Sequence, residues 1–238
     1  NAENHAMRER LIEHIRSELG GDQSLLAKAV PDYPPYGKRM LRDNGWYQML
    51  TQAHVDLVTE RIERITPHAV VTHDGRVHPA DVLVLATGFQ ADRLTWPMQI
   101  KGRAGRTLRD LWGDDDPRAY LGITVPGFPN FFLMYGPNTN LAHGGSAIFH
   151  SECQVRYTLL ALRELIEQGA SSLDVRQSVH DEFNARVDAL HARMVWAHPG
   201  VGSWYKNRKG RVFATSPWRL LDYWNFTRSL DRSDYAFN

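Results

Sequence analysis

Apolar positions along the chain fall into helical and strand rhythms divided by clear punctuation. Leu11, Ile15 and Leu19 recur at spacing four and predict an amphipathic helix over residues 3–19, stopped by Gly20-Gly21. Residues 24–30 predict one more short helical turn. Residues 31–37 (PDYPPYG) form a stiff linker, because the prolines fix φ and forbid a helix. A short helical segment is expected over residues 45–52, then short strands at 55–58 and 62–66. Residues 69–73 and 76–79 flank Asp74-Gly75, a strong hairpin signal. Residues 81–86 (DVLVLA) are continuously apolar after Asp81, as a strand buried on both faces would be.

Residues 90–116 are rich in glycine and predict loop, and the acidic run Asp114-Asp115-Asp116 reads as a solvated turn. Residues 130–135, bounded by Pro129 and Gly136-Pro137, predict a buried strand. A loop of small and amide side chains follows at 138–145. Ser146 then stands where an N-cap should stand, and residues 147–168 predict a long helix ended by Gly169. A second helix is expected over 179–196, capped by Ser178, with Phe183, Val187, Leu190 and Met194 on one face. Residues 199–209 (PGVGSWYKNRK) predict a loop. The tail, 212–226, is expected to pack back on the body, and the last dozen residues to be disordered.

The order strand, Gly-Pro turn, Gly-containing loop and helix start has a chemical consequence. Backbone N–H groups point out of a helix N-terminus with positive partial charge behind them. Such a place suits a phosphate, a carboxylate or the electron-rich edge of a cofactor ring.

Composition narrows the classes. Of 238 residues, 42% are hydrophobic and 23% charged, ordinary for a globular protein. A net charge of +1 gives no basic surface for nucleic acid. No apolar run approaches the roughly 20 residues of a membrane helix, so no membrane partner is expected. Cys153 is the only cysteine, which excludes a disulfide within the chain and makes a reducing, cytoplasmic setting the default. The 11 histidines show no metal-ligand spacing, so no metal is expected. His143-Gly144-Gly145-Ser146 has the look of an esterase oxyanion loop, but the nucleophile elbow G-x-S-x-G is absent. Asn1-Ala2, without an initiator methionine, reads as a scar of tag removal, and the chain is expected to be a fragment.

Three stretches carry a family likeness: Ala86-Thr87-Gly88-Phe89, residues 112–122, and 128–152 (FPNFFLMYGPNTNLAHGGSAIFHSE). Together they resemble the C-terminal portion of flavin-dependent Baeyer–Villiger monooxygenases, with the 4-hydroxyacetophenone monooxygenase type most alike. The likeness runs from about Pro31 to about Trp224. It implies an α/β fold: the end of an NADPH-binding domain (residues 1–88, with a leading helical segment), then the C-terminal part of an FAD-binding domain (89–238). It also implies FAD and NADPH as cofactors, with a ketone, especially an aryl ketone, and O₂ as substrates.

The resemblance assigns roles that the residues alone leave open. Lys38-Arg39 taken alone is an ordinary surface pair. By resemblance Arg39 is the catalytic arginine beside the flavin, where a fixed guanidinium stabilises the negative charge that develops on oxygen. Lys38 would approach the 2′-phosphate of NADPH. Thr87 and Gly88 would mark the crossing between the nucleotide domains. Asn138, Gly145 and Ser146 would face the flavin ring, with Thr139, Asn140 and Gly144 in the same loop. Trp204, otherwise a plausible loop anchor, would belong to a mobile loop that folds over NADP and keeps water out.

The family needs two G-x-G-x-x-G loops to seat two pyrophosphates, and the sequence holds neither. The acidic partner of the catalytic arginine is expected upstream. The fragment itself is therefore expected to be inactive. Two alternatives remain: a related flavin monooxygenase that oxidises nitrogen or sulfur, and a non-catalytic interaction domain that self-associates through apolar surface left bare by truncation.

Overall fold

The structure is a computed structural model and describes residues 2–238; Asn1, and with it half of the Asn1-Ala2 scar, lies outside the described residues. The chain divides into two compact units. The first comprises Asn1–Pro35 and Leu41–Phe89, and the second Tyr36–Met40 and Gln90–Asn238.

In the first unit, α1 (Ala2–Glu18) and α2 (Gln23–Ala29) are joined through Gly20-Gly21, as the apolar spacing predicts. Asp22 caps α2 by accepting from the N–H groups of Ser24 and Leu25, at 2.8 and 3.0 Å. Ile15, Leu19, Leu26 and Leu50 form the small core, with Leu50 ending the short helix α3 (Trp46–Leu50). Arg8 ties α1 to the proline-rich segment by donating to the carbonyls of Tyr33 (3.0 Å) and Pro31 (2.8 Å). Residues 55–58, expected as a strand, are irregular.

The meander β1 (Ile62–Thr66), β2 (Ala69–Thr72) and β3 (Val77–Pro79) follows, antiparallel throughout. Its second turn holds Asp74-Gly75, with Gly75 at φ +81°, where only glycine sits without strain. The expected buried strand at 81–86 is not there: residues 81–90 are irregular and exposed. An apolar run becomes a two-face-buried strand only between partner strands, and no described residue pairs with it.

In the second unit, residues 90–116, expected as loop, contain the short helix α4 (Leu108–Trp112), which a capping box between Thr107 and Asp110 opens. Residues 130–135, expected as a strand, run without a sheet partner; the Leu133 N–H donates to the Ile123 carbonyl (2.8 Å). The long helix α5 (Ala147–Glu167) begins at Ser146, whose hydroxyl accepts from the Phe149 N–H. Its face of Tyr157, Ala161 and Leu165 packs with Ile123, Leu173, Val175, Phe183 and Val187 in the main core.

The next helix, α6 (Gln177–His191), starts one residue before the expected cap at Ser178 and ends before Met194. Ser178 thus lies inside the helix and Arg176 holds the N-cap position without a side-chain cap, while Gln177 donates to the Asp181 carboxylate (2.8 Å). The tail forms α7 (Leu220–Thr227), which packs on α5. The Gln154 side chain donates to the Tyr223 hydroxyl (3.0 Å), which donates to the Leu121 carbonyl (2.7 Å).

The last dozen residues are ordered, contrary to expectation. β5 (Tyr235–Phe237) pairs antiparallel with β4 (Leu173–Val175), and Tyr235 enters the core with its hydroxyl 2.9 Å from that of Tyr157. The hydrophobic pattern of so short a strand is too brief to signal this; pairing and one buried ring decide it.

Candidate functional site

The candidate site is built in the second unit, around the loop between residues 136 and 146. The loop's base is a close backbone contact. A Cβ on Gly136 would lie 2.3 Å from the Gly122 carbonyl oxygen, and one on Gly122 would lie 2.2 Å from Cγ2 of Thr139. Only glycine lets these segments meet.

Asn138 has φ +58° and is buried. Its N–H donates to the Phe213 carbonyl (2.8 Å), and its amide to the carbonyls of Val212 (3.0 Å) and Thr215 (3.3 Å). Its amide oxygen accepts from Arg211 Nη2 (3.2 Å). The side chain is thus directed inward and holds the loop to residues 211–215. Arg211 is itself bound to Asp188 through Nε (2.9 Å) and to Asp116 through Nη1 (3.2 Å), while Arg118 spans the same two carboxylates.

Gly144, Gly145 and Ser146 are exposed at the start of α5. Gly145 has φ +83°, and a side chain there would strike Leu220. A helix of this length leaves its first N–H groups unpaired within the helix, so the exposed loop offers donors and positive partial charge. Below it, His150 Nδ1 lies 2.7 Å from the Thr139 carbonyl, and burial holds this imidazole's pKa down.

Arg39 comes to the same loop. Its exposed guanidinium donates through Nη1 to the Leu141 carbonyl (3.3 Å). A run of aromatic rings fixes the backbone beside it. Tyr36 packs on His143 (4.9 Å between centroids), His143 on Trp196 (6.3 Å), and Trp196 on Tyr205 (6.2 Å). The Trp196 indole donates to the Tyr36 carbonyl (3.0 Å). Trp204 stands edge-on to Tyr205 at 4.6 Å and is about half exposed (48%). The Tyr205 hydroxyl is wholly buried with no hydrogen-bond partner; burial raises its pKa, and Arg39 opposes the rise.

So the structure gathers Arg39, Gly145, Ser146 and the loop bearing Trp204 around one segment, with Asn138 beneath it. Lys38 is exposed beside Arg39. Thr87 and Gly88 lie in the other unit, in the exposed stretch 81–90. Among the described residues no group of His, Cys, Asp and Glu could hold a metal ion, and no helix is long and apolar enough to cross a membrane.

Sequence reasoning missed Tyr36, His143 and Trp196 as the braces of Arg39. It also missed Arg211, which sits in an unremarkable Lys-Gly-Arg-Val context. The aromatic spacing within residues 193–205 was the one visible signal.

An arginine held at the glycine-rich start of a long helix, on a mixed α/β frame, is a fit for an anionic or electron-rich group. Comparisons agree on the class. The fold is that of part of a two-dinucleotide flavoprotein monooxygenase. The chain has a TM-score of 0.86 and 27% identity to a solved oxidized steroid monooxygenase bound to NADP, covering all of this chain and 46% of that one. For a cyclohexanone monooxygenase from Rhodococcus bound to NADP+ the values are 0.83 and 25%, with 45% of that chain covered.

In sequence, the chain is 43% identical over 235 residues to an uncharacterized monooxygenase, y4iD, of Sinorhizobium fredii. It is 34% identical over 225 residues to a Baeyer–Villiger monooxygenase of Pseudomonas aeruginosa. It spans 36% and 42% of these two relatives, well under half of each. No family model matches the chain.

Proposed function

We propose that the chain is the C-terminal portion of an FAD- and NADPH-dependent monooxygenase that inserts one oxygen atom of O₂ beside a ketone carbonyl. The observation that carries this reading is Arg39, braced by Tyr36 and Trp196 and seated on the loop that opens α5. When bound, the flavin supplies the two-electron activation of O₂; one oxygen atom goes to the ester or lactone and the other leaves as water, with NADPH as reductant.

The chain's own residues then have defined tasks. Arg39 stabilises the charge that collects on oxygen as the carbonyl becomes tetrahedral. Its Nη1 is fixed by the Leu141 carbonyl, while the other N–H groups of the planar guanidinium remain to donate. Gly145, Ser146 and the start of α5 would hold the flavin ring, and the helix end would favour negative charge there. Lys38 meets the NADPH 2′-phosphate as a point charge. Trp204, exposed on a loop with Gly200 and Gly202, covers NADP and limits water. Asn138 serves as the post under the loop rather than as a ring contact. The first unit ends the NADPH-binding domain, with Thr87 and Gly88 at the crossing, and the second unit belongs to the FAD-binding domain. The likeness to the 4-hydroxyacetophenone type favours aryl ketones, in a cytoplasmic setting.

With neither G-x-G-x-x-G loop present, the fragment alone turns over no substrate. A second reading, an interaction module, is favoured by one observation: Val82 and Val84 are 79% and 81% exposed.

Arg39→Ala in the holoenzyme tests the first reading. Flavin reduction by NADPH should persist, product ester should fall by about 10²–10³-fold, and hydrogen peroxide should appear in its place. Undiminished ester yield would sink the role of Arg39. Product analysis on a thioether beside a ketone separates sulfur oxidation from oxygen insertion.

A further inference from the structure

We infer that Tyr135 is a positioning residue for Arg39, acting through the turn at Asn140 and Leu141; the inference rests on the role proposed for Arg39. The Tyr135 hydroxyl works in both directions. It donates to Asn140 Oδ1 (3.0 Å) and accepts from the Leu141 N–H (3.3 Å). The carbonyl of that same Leu141 accepts from Arg39 Nη1. One phenol therefore fixes the residue whose oxygen holds the guanidinium.

The backbone of Tyr135 points the same way. It sits at φ +53°, in the left-handed region, where a ring-bearing residue gains nothing. Such a conformation persists only where the surroundings over-determine it. Here the Tyr135 N–H donates to Gln154 Oε1 (2.8 Å), and Gln154 is fully buried on α5 and tied to Tyr223. The main chain of Tyr135 is pinned to the helix and its hydroxyl to the loop. It ties α5, at Gln154 in its third turn, to the turn that holds Arg39. The Asn140 Nδ2 atom is buried without a hydrogen-bond partner, so this turn depends on the phenol for much of its polar satisfaction.

Tyr135→Phe removes only the hydroxyl and is compared with Tyr157→Phe, which removes a hydroxyl from the main core. In hydrogen exchange on this chain, the Leu141 amide of Tyr135→Phe should exchange about tenfold faster while its neighbours in α5 are unchanged. In Tyr157→Phe the Leu141 amide should quicken only together with the whole unit. In the holoenzyme, Tyr135→Phe should lower ester formed per NADPH about tenfold, leave flavin content and flavin reduction unchanged, and add nothing further in an Arg39→Lys background. Unchanged Leu141 exchange overturns the latch. Faster exchange with undiminished ester yield, or with a full additional loss beside Arg39→Lys, overturns its action through Arg39. If Arg39→Ala retains ester yield, the reading of Arg39 fails by itself, and the exchange result still decides whether Tyr135 holds the turn.

Discussion

His191 shows how much one buried side chain can set. It ends α6 at 3% exposure, with Trp196 against its ring at 6.0 Å. Burial, and then the Arg211 guanidinium, lower its pKa from 6.5 to about 4. In the unfolded chain the imidazole takes a proton near pH 6.5, whereas in the folded chain it does so only near 4. Stability from this group is therefore whole above pH 6.5 and drains as pH falls toward 4, by up to about 3 kcal/mol. The His150 imidazole shifts in the same direction, burial outweighing its contact with the Thr139 carbonyl. Denaturant unfolding at pH 7.5 and pH 5 should show the loss, and His191→Gln should flatten it. Equal losses in the two proteins would assign the acid sensitivity elsewhere.

Among the elements, β5 contributes out of proportion to its length. Tyr235 is 1% exposed and joins Tyr157 and, at 3.4 Å, Thr124. Burial raises its pKa to about 12, so the hydroxyl stays neutral. Deleting residues 235–238 strips β4 of its partner and bares Leu173 and Val175. Loss of such a ring costs about 3–5 kcal/mol, so thermal unfolding of the truncated chain should begin well below that of the intact one. An unaltered melting curve would show the pairing to be incidental.

The long helices were legible in the sequence because their signals are long, whereas the five-residue α4, inside a stretch expected as loop, was not. Leu11, Ile15 and Leu19 repeat at spacing four over about two turns, and Ser146 stands at a clean cap. β5 was not legible, since three residues carry no period. Residues 81–86 misled for a related reason: burial of a strand belongs to its neighbours, and the pattern records only the wish for them. In the site, Arg39 was legible only through family likeness. Arg211 bonds residues as far away as Asp116 and left no mark in the sequence, and the Tyr135 hydroxyl, though it bonds near neighbours, does so through a turn that no motif announces.

For the molecule as a whole, the most consequential surface is that same stretch. Val82, Leu83, Val84 and Leu85 are 79%, 47%, 81% and 71% exposed, and Phe89 98%. A bare apolar segment of high β propensity invites pairing with another copy. Sedimentation over a tenfold range of concentration should show self-association. The pair Val82→Lys and Val84→Lys should shift the chain to monomer. A monomer at every concentration would count against this surface as an interface.

One feature of the backbone path bears on how such proteins could be recombined. The chain enters the second unit at Tyr36, leaves it after Met40, and returns at Gln90. The short visit carries Arg39 and Tyr36 to the loop where they are held. A gene fusion with a single junction near Phe89 would therefore graft the second unit without its arginine and without the ring that braces His143. Trading this module between relatives requires two junctions, with the five-residue segment travelling along with the larger piece. Chimeras joined once should carry a loop whose guanidinium comes from the other parent and must fit foreign braces.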